Sequence, residues 1–168
     1  PRDGTDTADL LRKADLAMYR AKAQGGSTWR AFHPHMDEDT FARLDMLEHL
    51  RAATAAGALR VVYQPRVTAG SHVMVSAEAL IRWQHPNLGW VSPAKFIPLA
   101  EEFGLIDAIG IWILEQTCAQ LQSWRNRGFE IDHISVNVSP IQFESEAFFE
   151  KAPNLLKLYQ LPAGAIEL

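Results

Sequence analysis

A chain of 168 residues is long enough to bury one ordinary hydrophobic core, and 48% hydrophobic with 21% charged residues is the balance of a globular protein. The formal charge of −4 leaves no basic surface for nucleic-acid polymers, while a small anionic ligand needs only a local cation and stays open. No run approaches the roughly 18 apolar residues of a membrane-spanning helix. The single Cys118 excludes an internal disulfide and, lying in a helical pattern, reads as a buried apolar side chain in a reducing compartment.

The chain begins at Pro1-Arg2-Asp3-Gly4, without a Met, and stops at Ile166-Glu167-Leu168 as a strand begins, so a fragment of a longer protein is expected. Asp6 or Thr7 is placed to cap a helix reaching about residue 24, with Leu10, Leu11, Ala14, Met18 and Ala21 at helical spacing and Gly25-Gly26 to stop it. Residues 28–34 read as a short strand and a turn, and His33-Pro34-His35 as connector residues in preference to a metal pair. A second helix is expected over 37–56, with Phe41, Leu44 and Leu47 on one stripe and Gly57 beyond its end.

Residues 59–67 are β-rich, and Pro65 among them implies an edge, a bulge or an end. A turn at Gly70-Ser71 leads back into 75–83, which makes the two strands hairpin neighbours. In this second strand Val75, Ala77, Ala79, Ile81 and Trp83 share one face, while Ser76, Glu78, Leu80 and Arg82 share the other. The apolar content of both faces predicts a strand covered on both sides, so Glu78 and Arg82, about 13 Å apart at 3.3 Å per residue, need a chemical reason.

Residues 84–89 form a turn cluster in which His85 reads as a structural hydrogen-bonding residue. Ser92 and Pro93 open a helix closed by Gly104. A longer helix from Ile106 to Gly128 carries Ile109, Ile113, Thr117, Leu121 and Trp124 on a face that packs on a sheet. A strand over 134–140 puts Asn137 opposite its apolar face, where the amide is either hydrogen-bonded or serves a ligand. A helix over 144–159 and a last strand at Ile166 follow.

Strand, helix, strand, helix, strand is the order of a parallel α/β fold, and polar residues near strand ends fit a barrel with its site on that rim. Gln64, Glu78, Arg82 and Asn137 are those residues. A carboxylate and an amide oxygen suit Mg²⁺ or Mn²⁺, and a guanidinium suits a phosphate.

Two resemblances sharpen this reading. Asp3-Gly4, then Leu10-Leu11-Arg12-Lys13-Ala14-Asp15-Leu16-Ala17-Met18-Tyr19-Arg20-Ala21-Lys22, then Gly25, resembles the terminal helix of the GGDEF family of diguanylate cyclases. This implies a nucleotide-phosphate contact for Lys22. Where that family often has an Arg four residues later, this chain has Gly26, and the loop that names the family is not in the chain.

Tyr63-Gln64-Pro65, Glu78-Ala79-Leu80-Ile81-Arg82-Trp83, His85-Pro86 with Gly89, Ser92-Pro93 with Phe96-Ile97-Pro98-Leu99-Ala100-Glu101, and Val136-Asn137-Val138-Ser139 with Gln142-Phe143 resemble the ordered motifs of the EAL family. The resemblance implies a cyclic di-GMP phosphodiesterase on a modified TIM barrel whose first strand is antiparallel to the rest. It implies that Glu78 and Asn137 bind the metal, Arg82 contacts a substrate phosphate, and Gln64 lies on the substrate side. Metal-activated water would then open the dinucleotide to pGpG. Further ligands, a Glu in an "ExT" motif, an Asp pair, a Lys and a late Glu and Gln, are expected beyond Leu168; Glu167 precedes the "ExT" Glu by two positions and is not assigned.

The expected fold is thus a partial (β/α) TIM-type barrel of the EAL kind, with a GGDEF remnant over 1–34, a linker helix over 35–50 and half an EAL domain over 51–168. Closing such a barrel takes about 250 residues, so the isolated chain is expected to be neither active nor a stable monomer. The family resemblance further implies a cytoplasmic domain of a homodimer, with no membrane contact from this segment although its parent could be anchored in the inner membrane. A non-cleaving receptor of cyclic di-GMP and a bifunctional cyclase/phosphodiesterase are the alternatives it leaves.

Overall fold

The computed structural model describes Gly4, residues 6–23 and residues 27–168; the side chains of residues 19, 20, 22, 23, 35 and 37–41 lie outside that description. The chain divides into two compact units, Pro1–Glu48 and His49–Leu168, and among the described residues the first holds no strand.

In the first unit α1 (Thr7–Ala23) is capped by Asp6, whose Oδ2 accepts the Asp9 amide at 2.9 Å. Asp9 in turn pairs with Lys13 and Arg12 one turn on, and these bonds hold its carboxyl below the usual carboxylate range. The expected apolar stripe is only partly covered: Ala17 and Ala21 are buried, but Leu11 and Met18 are exposed. Met18, Leu10 and Ala14 open onto a cavity of about 580 Å³ whose other wall is Ser27 to Arg30 and Phe32. Residues 28–34 form no strand, because no segment among the described residues pairs with them. Helix α2 (His35–Ala53) begins two residues before its expected start and ends in a turn at Gly57, φ +64°. Among the described residues no helix is long and apolar enough to cross a membrane.

The second unit is built on one sheet. Strand β1 (Leu59–Val67) pairs antiparallel with β2 (Met74–His85) from Leu59↔Trp83 to Val67↔Met74. The register runs through Pro65 and first breaks between Arg66 and Val67, which is possible because β1 is an edge strand and needs no outward N–H. A short β3 (Gly89–Val91) folds back on the end of β2, so His85 closes the strand instead of standing in the turn. Its Nδ1 accepts the amides of Asn87 and Leu88, at 3.1 and 3.2 Å, which is the structural role expected of it.

Helices α3 (Pro93–Glu102) and α4 (Ile106–Asn126) then cross over to β4 (His133–Val136), parallel to β2, and the chain passes through α5 (Pro140–Phe143) and α6 (Glu146–Leu158) to β5 (Ile166–Glu167), parallel to β4. The helix expected over 144–159 is α6, which Ser145 caps by accepting the Phe148 amide, and the short α5 precedes it where the strand over 134–140 was expected to end. Ser92 holds the N-cap position of α3 with its backbone alone, Pro93 supplying the preset first turn. Gly104, φ +68°, ends α3 in a left-handed turn, with the Leu105 amide returning to the Ala100 carbonyl at 2.8 Å.

The core lies between the sheet and α3 and α4. Trp83, fully buried, meets Phe96 edge-on at 5.4 Å, and Ala77, Ala79, Ile81, Ile134 and Val136 share that face with Ile106, Ile109, Ile113, Thr117 and Leu121 of α4. The opposite face of β2, with Glu78, Leu80 and Arg82, is only half-buried. Sequence predicts cover on both sides; helices cover one, and the other carries the polar residues.

Candidate functional site

Strand register gathers the polar face into a row. Gln64 on β1 is opposite Glu78 on β2, Glu78 is opposite Ser135 on β4, and Ser135 is opposite Glu167 on β5. Residues opposite each other on neighbouring strands point to the same face, so one rung carries an amide, two carboxylates and a hydroxyl. Asn137 stands one step further along that face, just past the end of β4.

The Asn137 side chain is exposed, not buried as the strand pattern implied, because β4 ends at Val136. Its Nδ2 donates to Glu78 Oε1 at 2.8 Å. That bond uses the nitrogen, leaving Oδ1 beside a carboxylate whose residue side chain is 29% exposed. A carboxylate oxygen from β2 and an amide oxygen from the residue just past β4 are the hard donors that Mg²⁺ or Mn²⁺ takes, so the residues present fit such an ion.

Arg66, two residues past Gln64 on the same face of β1, brings a cation to this rung. It lies 3.6 Å from Glu78 Oε2 through Nη2 and 3.5 Å from Glu167 Oε2 through Nη1, and it donates to Ser135 Oγ at 3.0 Å. Ser135 donates its hydroxyl to Glu167, and His133 Nε2 is 3.3 Å from the same oxygen. The Ser135 hydrogen bond, helped by the nearby His133 and Arg66, holds the Glu167 carboxyl below its ordinary range. Sequence reasoning missed Arg66, His133 and Ser135, and set Glu167 aside. The available signal was the period of two that puts Arg66 on the Gln64 face; the partner it reaches depends on register.

Arg82 is not drawn to Glu78. Its Nη1 donates to the carbonyl of Ile81 at 2.8 Å, and with Leu80, Ile97, Glu101, Asn137 and Ser139 it lines a cavity of about 230 Å³ at the ends of β2 and β4. Among the sequence-predicted residues, then, Glu78 and Asn137 bond directly, Gln64 is opposite Glu78, and Arg82 shares a cavity wall with Asn137. Lys22 belongs to α1 in the first unit, and its side chain lies outside the described residues.

The sequence is 38% identical over 161 residues to the bifunctional diguanylate cyclase/cyclic di-GMP phosphodiesterase MucR of Pseudomonas aeruginosa, covering 96% of this chain and 24% of that protein. It is 36% identical over 157 residues to the cyclic di-GMP phosphodiesterase PdeR of Escherichia coli, covering 94% of this chain and 23% of that one. The chain thus spans about a quarter of the length of these relatives. In structure it resembles the MucR phosphodiesterase in its c-di-GMP complex, with a TM-score of 0.69 and 36% identity over 73% of this chain and 49% of that one. An antiparallel first strand followed by parallel strands and helical crossovers is accordingly part of an EAL-type barrel. The model of the EAL domain matches residues 47–168, well over half the chain, and the chain belongs to the EAL domain family.

Proposed function

We propose that the protein carrying this chain hydrolyses cyclic di-GMP to the linear dinucleotide pGpG, with Mg²⁺ or Mn²⁺ held by Glu78 and Asn137. The observation that carries this reading is the Glu78–Asn137 pair at 2.8 Å, two oxygen-bearing side chains, one on β2 and one just past the end of β4, meeting on the face left free of helices. The names of MucR and PdeR support the substrate.

Each residue then has a task. Glu78 supplies negative charge that a divalent cation neutralises, and Asn137 orients that carboxylate while offering its own oxygen. Arg82, on the wall of the adjoining cavity, binds a phosphate of the dinucleotide, and the half-buried surroundings strengthen that attraction relative to water. Gln64 faces the substrate from β1. The bound ion would supply charge neutralisation at the phosphodiester and a water of lowered pKa.

The match to MucR extends over 161 residues, beyond the EAL portion. It favours a tandem reading in which residues 1–34 are the end of a GGDEF domain, with Lys22 on its nucleotide side, and 35–50 a linker helix. A homodimeric, cytoplasmic placement belongs to the same reading.

The test is hydrolysis of cyclic di-GMP with Mg²⁺ or Mn²⁺ by the intact protein, resolved by chromatography of pGpG. Glu78→Ala is expected to abolish turnover while leaving the fold intact by circular dichroism; unchanged turnover would remove Glu78 from the metal site. Binding of cyclic di-GMP without any pGpG in the wild type would identify a receptor instead.

A further inference from the structure

Asn137 sits just past the last paired residue of β4, so strand pairing alone does not fix it. The turn that follows is held from outside the sheet. Ser139 Oγ donates to Glu101 Oε1, in the last turn of α3, at 2.6 Å. The Ser139 amide donates to Gln142 Oε1 at 3.0 Å, and Gln142 Nε2 donates to the carbonyl of Ile106, the first residue of α4, at 3.1 Å. Gln142 is 2% exposed, so both of its bonds are made away from water.

Helix α4 makes room for this amide. A Cβ on Gly110 would lie 2.0 Å from Gln142 Nε2 and 2.9 Å from Phe148 Cε2. Only a residue without a side chain fits there, although glycine inside a helix costs roughly 1 kcal/mol relative to alanine.

We propose that Glu101 and Gln142 are positioning residues: through Ser139 they fix the turn that aims Asn137 at Glu78, and so set the affinity of the site for a divalent cation. Neither bonds to Glu78 or Asn137, and together they tie the turn to the ends of two helices anchored in the core. This inference rests on the metal reading of Glu78 and Asn137. Outer residues that orient metal ligands typically change metal affinity roughly 10- to 100-fold when removed.

The test is calorimetric titration of the intact protein with Mn²⁺ alone, with thermal unfolding measured in parallel without metal. Glu101→Ala and Ser139→Ala are each expected to weaken Mn²⁺ binding by roughly tenfold or more, and the double variant no more than Ser139→Ala alone, because the bond that Glu101→Ala removes is already lost with the Ser139 hydroxyl. Glu101→Gln keeps an oxygen that accepts from Ser139 and is expected to bind Mn²⁺ like the wild type. A lowered melting temperature with wild-type Mn²⁺ affinity in Glu101→Ala and Ser139→Ala overturns the proposal, leaving a purely structural clamp. Should Glu101→Ala not fold, Ser139→Ala, which deletes a single hydroxyl, carries the same expectation and the same refutation. Glu78→Ala separates the two readings. If it binds Mn²⁺ as the wild type does, the metal site itself falls and the positioning role with it; if it loses Mn²⁺ while Glu101→Ala and Ser139→Ala keep it, only the positioning role falls.

Discussion

Asn137→Asp tests the geometry of the site and its charge together. The Asn137 Nδ2 is 2.8 Å from Glu78 Oε1, so the substitution replaces a donor with a second carboxylate oxygen at hydrogen-bond distance. Two unit charges 2.8 Å apart repel by about 1.5 kcal/mol at the dielectric of water and about 6 kcal/mol at an effective value of 20. Asn137 is exposed and the Glu78 side chain is 29% accessible, so solvent screening puts the effect near the lower figure. Without metal the variant is expected to melt about 5 °C lower than the wild type at pH 7. A divalent cation placed between the two carboxylates turns the repulsion into attraction, so added Mn²⁺ should raise the variant's melting temperature more than the wild type's. Differential scanning calorimetry with and without Mn²⁺ measures both. Equal melting temperatures in metal-free buffer at pH 7 would show that the two side chains do not meet, and an Mn²⁺ response no larger than the wild type's would remove the cation from between them.

Trp83→Ala leaves a void at the most buried aromatic of the sheet, beside Phe96, and is expected to cost about 3–5 kcal/mol in urea unfolding; a loss under about 1 kcal/mol would show that β2 is not the core strand. Cys118 is 1% exposed and burial pushes its thiol up to about 11, so a thiol reagent at pH 8 should label it only after unfolding; rapid labelling of the native protein would contradict the packing of α4. Burial likewise pushes the Tyr63 phenol from 10.0 up to about 12. A raised folded pKa favours the protonated form, so this contribution is fully present below about pH 10 and is lost as pH rises toward about 12. Tyr63→Phe should therefore flatten the alkaline fall in stability between those limits, and an unchanged alkaline limb would mean that Tyr63 ionises as freely in the fold as in the unfolded chain.

The period of two in β2 and in residues 134–138 separated helix-facing from polar residues correctly, because each strand has one apolar face that must be buried whatever its partners are. Placing Glu78 and Asn137 on that polar side was therefore within reach of the sequence. That they touch was not, since it requires the parallel offset that sets Glu78 against Ser135 and leaves Asn137 one step beyond. Arg82 stays apart for another reason: a separation of four residues on one strand cannot be closed by register, and its guanidinium turns to its own backbone. Where an element ends was the least legible feature. Asn137 was expected on a covered strand, yet the ladder stops one residue earlier and Ser139 begins a helix, because a Ser followed by Pro140 and, three residues on, by Gln142 is a capping box. That signal was present in the sequence and read as the tail of a strand. Its consequence reaches beyond the local turn: a side chain one residue past a strand is not fixed by the ladder, and here the turn that follows it is bonded to side chains contributed by α3 and α5.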